Sequence, residues 1–128
     1  MENNETINKF IFKFTIMKIY HNPRCTKSRQ TLAIIEEKGI EVEKVLYLEN
    51  ALTKIELIHI LKKLGIDAEK LVRKSEVIYK EKYKGKNLSE EKWIEVMVEN
   101  PKLIERPIVV KGEKAIIGRP PENVKDLF

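Results

Sequence analysis

Apolar residues fall in short continuous runs at the two ends of the chain and recur at helical spacing in between, so two periods alternate along one sequence. The run Ile16–Tyr20 reads as a short strand, broken by His21-Asn22-Pro23. From Thr26 to Lys38 the apolar positions Leu32, Ala33, Ile34 and Ile35 fit a helix that Gly39 closes in the left-handed position. Val42 to Leu48 reads as a buried strand, and a helix between two strands favours a parallel pair with a right-handed crossover. Thr53-Lys54-Ile55-Glu56 is a capping box, opening a helix whose buried stripe is Leu57, Leu61 and Leu64 and whose end is Gly65.

Three further helices follow in the pattern. Asp67 is placed to cap one that runs through Lys74, Ser75 to cap one from Glu76 to about Lys82, and Ser89 to start a third. The third turns Trp93, Val96 and Met97 inward and stops at Asn100-Pro101. Pro107–Lys111 and Ala115–Gly118 are apolar strands joined through "KGEK" at hairpin spacing, and Glu122–Phe128 reads as a short terminal helix. The order β-α-β, helical insert, β-β-α defines an α/β, thioredoxin-like fold. This is a four-stranded mixed sheet with helices on both faces, parallel in its first half and antiparallel in its second.

Residues 1–15, MENNETINKFIFKFT, stand outside this pattern and read as a leader, either disordered or the product of a mis-set start, since Met17 sits where a start is natural. Glu2 and Glu5 argue against an acid-poor targeting presequence. Residues 16–128 then form one domain.

Composition narrows the class without naming a function. With 128 residues and 42% hydrophobic side chains the chain is sized for one core. The net charge of +5 comes from 25 basic and 20 acidic residues that are interspersed, a mild bias toward anionic partners rather than a nucleic-acid footprint. No apolar run approaches the ~20 residues that span a bilayer, so no membrane partner is expected. A single cysteine excludes an internal disulfide and points to a cytoplasmic protein.

That cysteine, Cys25, lies at a strand-to-helix junction, where the first amides of the helix have no internal acceptor and favour an anion. A thiol so placed near cations has a pKa lowered from ~8.5 by one to several units. Position alone is equally compatible with an inert, buried cysteine. Ser28 stands three residues on, where a dithiol redox protein has its second cysteine. Its hydroxyl is able to donate to the sulfur, but it resolves no disulfide, so an adduct on Cys25 requires an outside thiol for release. A Cys-x5-Arg phosphatase loop would need arginine at Thr31, and Arg29 comes too early. His21 and His59 have no metal-ligand spacing with Cys25, and no metal is expected. Arg106 in "IERPIVV" and Arg119 in "IIGRPPE" flank strands beside proline, and Arg106-Pro107 stands where thioredoxin-like folds carry a cis proline. Arginine suits tetrahedral oxyanions through its planar fork of donors, although by composition alone both are solvated surface residues.

In order and separation, "YHNPRCTKSRQTL", "LVRKSE", "IERPIVV" and "IIGRPPE" resemble the glutaredoxin-coupled arsenate reductase family, over about residues 17–128. The resemblance implies a thiolate at Cys25 that attacks arsenate, or a similar oxyanion, held by Arg73, Arg106 and Arg119. It implies that His21 tunes the thiolate, that Asn22 belongs to the same loop, and that the Ser28 hydroxyl bonds the sulfur. It further implies glutathione as co-substrate, glutaredoxin as the source of reducing equivalents, no bound cofactor, and a monomer. The chain departs from the family's usual pattern at Arg24, where a small residue is usual, and at Thr26-Lys27, where glycine-threonine is usual. Two rivals share the fold. Spx-type regulators bind RNA polymerase and usually carry a two-cysteine switch that Ser28 lacks. A general glutathione-dependent thiol reductase would act on a mixed disulfide and would not need the arginines.

Overall fold

A computed structural model describes residues 17–128. Strand β1 (Met17–Tyr20) leads into helix α1 (Thr26–Glu37) and strand β2 (Val42–Val45), and β2 pairs parallel with β1 from Met17 opposite Val42 to Tyr20 opposite Val45. The later hairpin of β3 (Ile108–Lys111) and β4 (Lys114–Ile117) adds on the other side of β1, antiparallel throughout, giving the order β2-β1-β3-β4. Gly112, at φ +60°, takes the first place in the two-residue hairpin loop, where a left-handed backbone matches the strand twist. This is the four-stranded mixed sheet expected from the patterning. The expected leader, residues 1–15, and Ile16 lie outside the described residues.

Strand alternation divides the core into two clusters. Met17, Ile19 and Val109 point to one face, against Ile35 of α1 and Val124 and Leu127 of a terminal 3-10 helix (Pro121–Leu127). Tyr20, Ile108 and Val110 point to the other, against the helical insert. The insert comprises α2 (Lys54–Leu64), α3 (Ala68–Leu71), α4 (Val77–Lys82) and α5 (Glu90–Glu99), followed by a 3-10 turn (Pro101–Leu103). Trp93 is its anchor, 2% exposed, with the rings of Tyr79 and Tyr83 centred 6.4 and 6.1 Å away. Both bonds of the Thr53/Glu56 capping box form, and Gly65 ends α2 at φ +68°.

Several boundaries differ from the sequence expectation, each for a non-local reason. The second strand ends at Val45 rather than Leu48, because Tyr47 N–H turns back to Val45 O (3.1 Å) and Asn50 N–H to Leu46 O (3.0 Å). Helix α3 stops at Leu71 rather than Lys74, because Val72 bridges Ile104, Arg73 N–H donates to Leu103 O (2.7 Å), and Glu105 N–H donates to Leu71 O (2.8 Å). Asp67 makes no side-chain cap. The Glu90 carboxylate of α5 instead accepts from Ala68 N–H at 2.9 and 3.1 Å. Ser75 does not cap α4, whose N-cap is Glu76. The terminal segment winds as a 3-10 helix, clamped by Asn123 Nδ2 donating to Ile117 O and Arg119 O (3.2 and 3.1 Å).

Candidate active site

The carboxyl ends of the parallel strands open toward one corner of the sheet. His21 N–H donates to Val45 O (2.9 Å), carrying the β1–β2 pairing one residue past the strand before the chain turns. Asn22 then builds the turn: its carbonyl accepts from Cys25 N–H (2.9 Å) and its Oδ1 from Arg24 N–H (3.0 Å). The Ser28 hydroxyl closes the loop from inside, accepting from Asn22 N–H (3.1 Å) and bonding His21 Nδ1 (2.6 Å). The Ser28 hydroxyl is thus engaged by His21 and Asn22 within the loop, while the Ser28 backbone N–H helps to lower the Cys25 pKa. Burial holds the His21 pKa below its ordinary value, reinforced by the Lys44 and Arg29 charges against an opposing Glu36.

Cys25 is the N-cap residue of α1, extended at φ −92° and ψ 122°, which puts its side chain beside the first turn, where the amides have no internal acceptor, although the sulfur makes no side-chain cap hydrogen bond. Burial is the largest single influence and pushes its pKa up. It is outweighed by the Ser28 backbone N–H, the Arg106 guanidinium and the Lys27 backbone N–H, and the net shift is downward. Arg119 Nη2 also lies 3.6 Å from the sulfur.

Arg106 and Arg119 are coupled through the backbone that separates them. Arg119 Nε donates to Arg106 O (2.8 Å) and lies 3.7 Å from Glu105 Oε2. Gly118 lets the two strands approach. Its N–H donates to Pro107 O (2.9 Å), and a Cβ there would sit 2.5 Å from Thr31 Oγ1 and 2.8 Å from Pro107 Cγ. The Arg106-Pro107 and Arg119-Pro120 bonds are both cis. Arg106 Nη1 donates to Lys102 O (3.3 Å) and to Glu76 Oε1 (3.4 Å). The same carboxylate oxygen lies 3.2 Å from Arg73 Nε, although that N–H is not aimed at it. Arg73 thus joins the corner through Glu76, whereas Arg106 and Arg119 act on the sulfur directly.

Reasoning from the sequence passed over Glu76, Glu105 and Tyr47. Glu76 was legible as a carboxylate three residues after Arg73 on a helix start. Tyr47 had no local signal, because its apolar neighbours read as continuing strand. Its hydroxyl is buried and unpartnered among the described residues, as are Arg73 Nε and Arg106 Nε. Its pKa is pushed up to about 12, first by burial, with Arg106 and Arg73 opposing and Cys25 and Glu105 reinforcing the rise. Leaving a buried donor unpaired costs about 1–3 kcal/mol, a cost carried by the Tyr47 hydroxyl and Arg106 Nε, whereas Arg73 Nε keeps the Glu76 carboxylate at 3.2 Å. Among the described residues no group of three or more His, Cys, Asp or Glu gathers for a metal, and no helix is long and apolar enough to cross a membrane.

A helix-start thiolate facing arginines on a thioredoxin-like sheet defines a class: thiol proteins that act on an oxyanion. The more particular assignment comes from comparison with known proteins. The ArsC family model matches residues 20–127, and the chain belongs to the ArsC family. The uncharacterized protein YfgD of Escherichia coli K12 is 53% identical over 113 residues, which is 87% of this chain and 95% of that protein. An arsenate reductase of Haemophilus influenzae is 46% identical, over 86% of this chain and 97% of its own length. Among solved structures, an arsenate reductase from Vibrio cholerae superposes with a TM-score of 0.85 at 42% identity, covering 89% of this chain and 98% of that one.

Proposed function

We propose that the protein is an arsenate reductase in which Cys25 is the nucleophile. The observation that carries this reading is the meeting of a depressed thiol with two guanidinium groups at the start of α1. In the first step the Cys25 thiolate attacks As(V) of arsenate, a sulfur–arsenic bond forms and one oxygen leaves as water after protonation. Arg106 and Arg119 balance the charge of the remaining oxygens, and Arg73 supplies a third cation from the insert. A second thiol then attacks the Cys25 sulfur, the sulfur–arsenic bond breaks, and its electron pair goes to arsenic, which leaves as arsenite, As(III). Cys25 is left in a mixed disulfide that a further thiol reduces. Over the cycle two thiols become one disulfide, and arsenate becomes arsenite and water.

Both thiols consumed in the cycle come from outside, since the chain holds no cysteine besides Cys25. Glutathione as co-substrate with glutaredoxin as the finishing reductant fits that need, as does a monomer in the reducing cytoplasm with no bound cofactor. The cations that differ from the family's usual pattern, Arg24 and Lys27, are exposed beside the thiol, where they add to the attraction for anions.

Purified protein supplied with glutathione, glutaredoxin and a glutathione-reducing system is expected to consume reducing equivalents on addition of millimolar arsenate, and Cys25→Ser to consume none. Absence of arsenate-dependent consumption by the wild type would sink the proposal. Arg106→Ala separates it from general thiol reduction, losing arsenate turnover while disulfide exchange between Cys25 and glutathione persists, slowed only as far as the raised thiol pKa requires. If Arg106→Ala turned over arsenate normally, the arginines would not be the oxyanion site.

A further inference from the structure

The corner holds one donor that no part of the reaction above uses. Tyr47 is 1% exposed, yet its hydroxyl has no partner among the described residues. The backbone explains how it arrives there. Val45 O is a shared pivot, accepting from His21 N–H (2.9 Å) on one side and Tyr47 N–H (3.1 Å) on the other. From that one carbonyl the β1 end departs into the cysteine loop and the β2 end into the turn that carries Tyr47. The tyrosine ring then packs into the insert-side cluster while its hydroxyl end feels the charges of Arg106, Cys25, Arg73 and Glu105.

The other two unpartnered buried donors among the described residues are Arg73 Nε and Arg106 Nε, from the insert and from the entrance to β3. Three elements distant in sequence thus bring buried donors without a hydrogen-bond partner together around the Tyr47 hydroxyl, Arg73 Nε among them keeping the Glu76 carboxylate at 3.2 Å. Fold stability gains nothing from this, because a phenylalanine would fill the ring's site without burying an orphan hydroxyl.

We infer that Tyr47 is a ligand-binding residue of this site, its hydroxyl donating a hydrogen bond to an oxygen of the tetrahedral oxyanion bound over Cys25. This rests on the oxyanion reading given above and adds a contact to it. Tyr47 stays a neutral phenol through the physiological range, so it offers a donor without adding charge to a corner where Glu76 and Glu105 already offset part of the arginine charge. Three guanidinium groups attract any anion. A fixed neutral donor at the inner wall selects one that presents an oxygen on that side.

The test is Tyr47→Phe in the full chain, read by protection of Cys25 against iodoacetamide with increasing arsenate and no second thiol present. Wild type is expected to be protected, and the variant to need roughly ten- to hundredfold more arsenate, the loss expected for one hydrogen bond to a charged ligand. Its melting temperature should equal or exceed that of the wild type, and the midpoint of Cys25 alkylation against pH should not move. Protection at the same arsenate concentration in both proteins overturns the inference and leaves the reductase reading standing. A raised thiol midpoint with unchanged arsenate protection assigns the hydroxyl to the thiolate and also overturns it. A wild type that arsenate does not protect overturns both. Should the variant not fold, tyrosine labelled with carbon-13 at Cζ in the wild type decides the matter. The Tyr47 resonance must shift on saturation with arsenate while those of Tyr20, Tyr79 and Tyr83 stay, and an unmoved Tyr47 refutes the contact.

Discussion

Arg119 and Arg73 reach the same corner from opposite halves of the chain, and they are held there by different physics. Arg119 leaves the end of β4 with its Nε fixed to a backbone carbonyl, Arg106 O, and Gly118 sets that spacing through the close fit against Thr31 and Pro107. Arg73 leaves the short helix α3 at the bridge between Val72 and Ile104, and its guanidinium is ion-paired, without an aligned Nε hydrogen bond, to a partly exposed carboxylate, Glu76, shared with Arg106. The sheet therefore supplies a rigid cation next to the sulfur. The insert supplies one whose position depends on charge. Such an arrangement ties the nucleophile to the scaffold and leaves adjustable electrostatics toward the ligand.

The largest effect should come from cutting the rigid side. Arg119→Ala removes the guanidinium 3.6 Å from the sulfur and is expected to lower arsenate kcat/KM by about 10²–10³-fold, the usual loss for one preorganised charge-stabilising donor. Steady-state kinetics would check it. Arg73→Ala should cost less, about 10- to 100-fold and chiefly in KM. Wild-type KM should also rise with ionic strength, because the Arg73–Glu76 pair is partly in solvent. Equal losses for the two alanine variants, with no salt dependence, would erase the distinction between rigid and charge-held cations.

Gly118→Ala probes the scaffold behind Arg119. A methyl placed 2.5 Å from Thr31 Oγ1 must displace α1 or the hairpin, at a cost of about 1–3 kcal/mol, visible in urea unfolding together with a reduced kcat/KM. Thr53→Ala sharpens the comparison from the other end. It deletes one half of the α2 capping box and should destabilise by about 0.5–2 kcal/mol with kcat/KM unchanged, since the cap lies outside the corner.

The same division accounts for what could be read from the sequence. Wherever local chemistry decides the structure, the pattern was legible: the β-α-β opening, the Thr53/Glu56 box, Gly65, the hairpin around Gly112, and Cys25 at the first turn of a helix. Where a distant partner decides, it was not. Leu46, Tyr47 and Leu48 look like strand, but the chain turns at Val45 and sends the Tyr47 ring under the insert. Nothing near Asp67 announces that Glu90 caps the helix in its place, or that Ile104 stops it at Leu71. For the candidate site, proline neighbours drew attention to Arg106 and Arg119. The resemblance added Arg73, and the partners Glu76, Glu105 and Tyr47 emerged only from the fold. Ser28 shows the same limit, for its position could be read from its spacing but its hydroxyl's partner, His21, depended on the loop.

The central claim is that this corner makes Cys25 a thiolate under conditions where an ordinary thiol is mostly protonated. Its most direct measurement is the rate of Cys25 alkylation by iodoacetamide across pH, in the wild type and in Arg106→Ala. Because the native pKa is depressed by the Ser28 amide and the Arg106 guanidinium against the opposing effect of burial, the thiolate fraction rises at lower pH than in a free thiol. The wild-type midpoint should therefore lie below the ordinary thiol value of ~8.5, and Arg106→Ala should move it upward. A wild-type midpoint at or above that value, unchanged in the variant, would contradict the account.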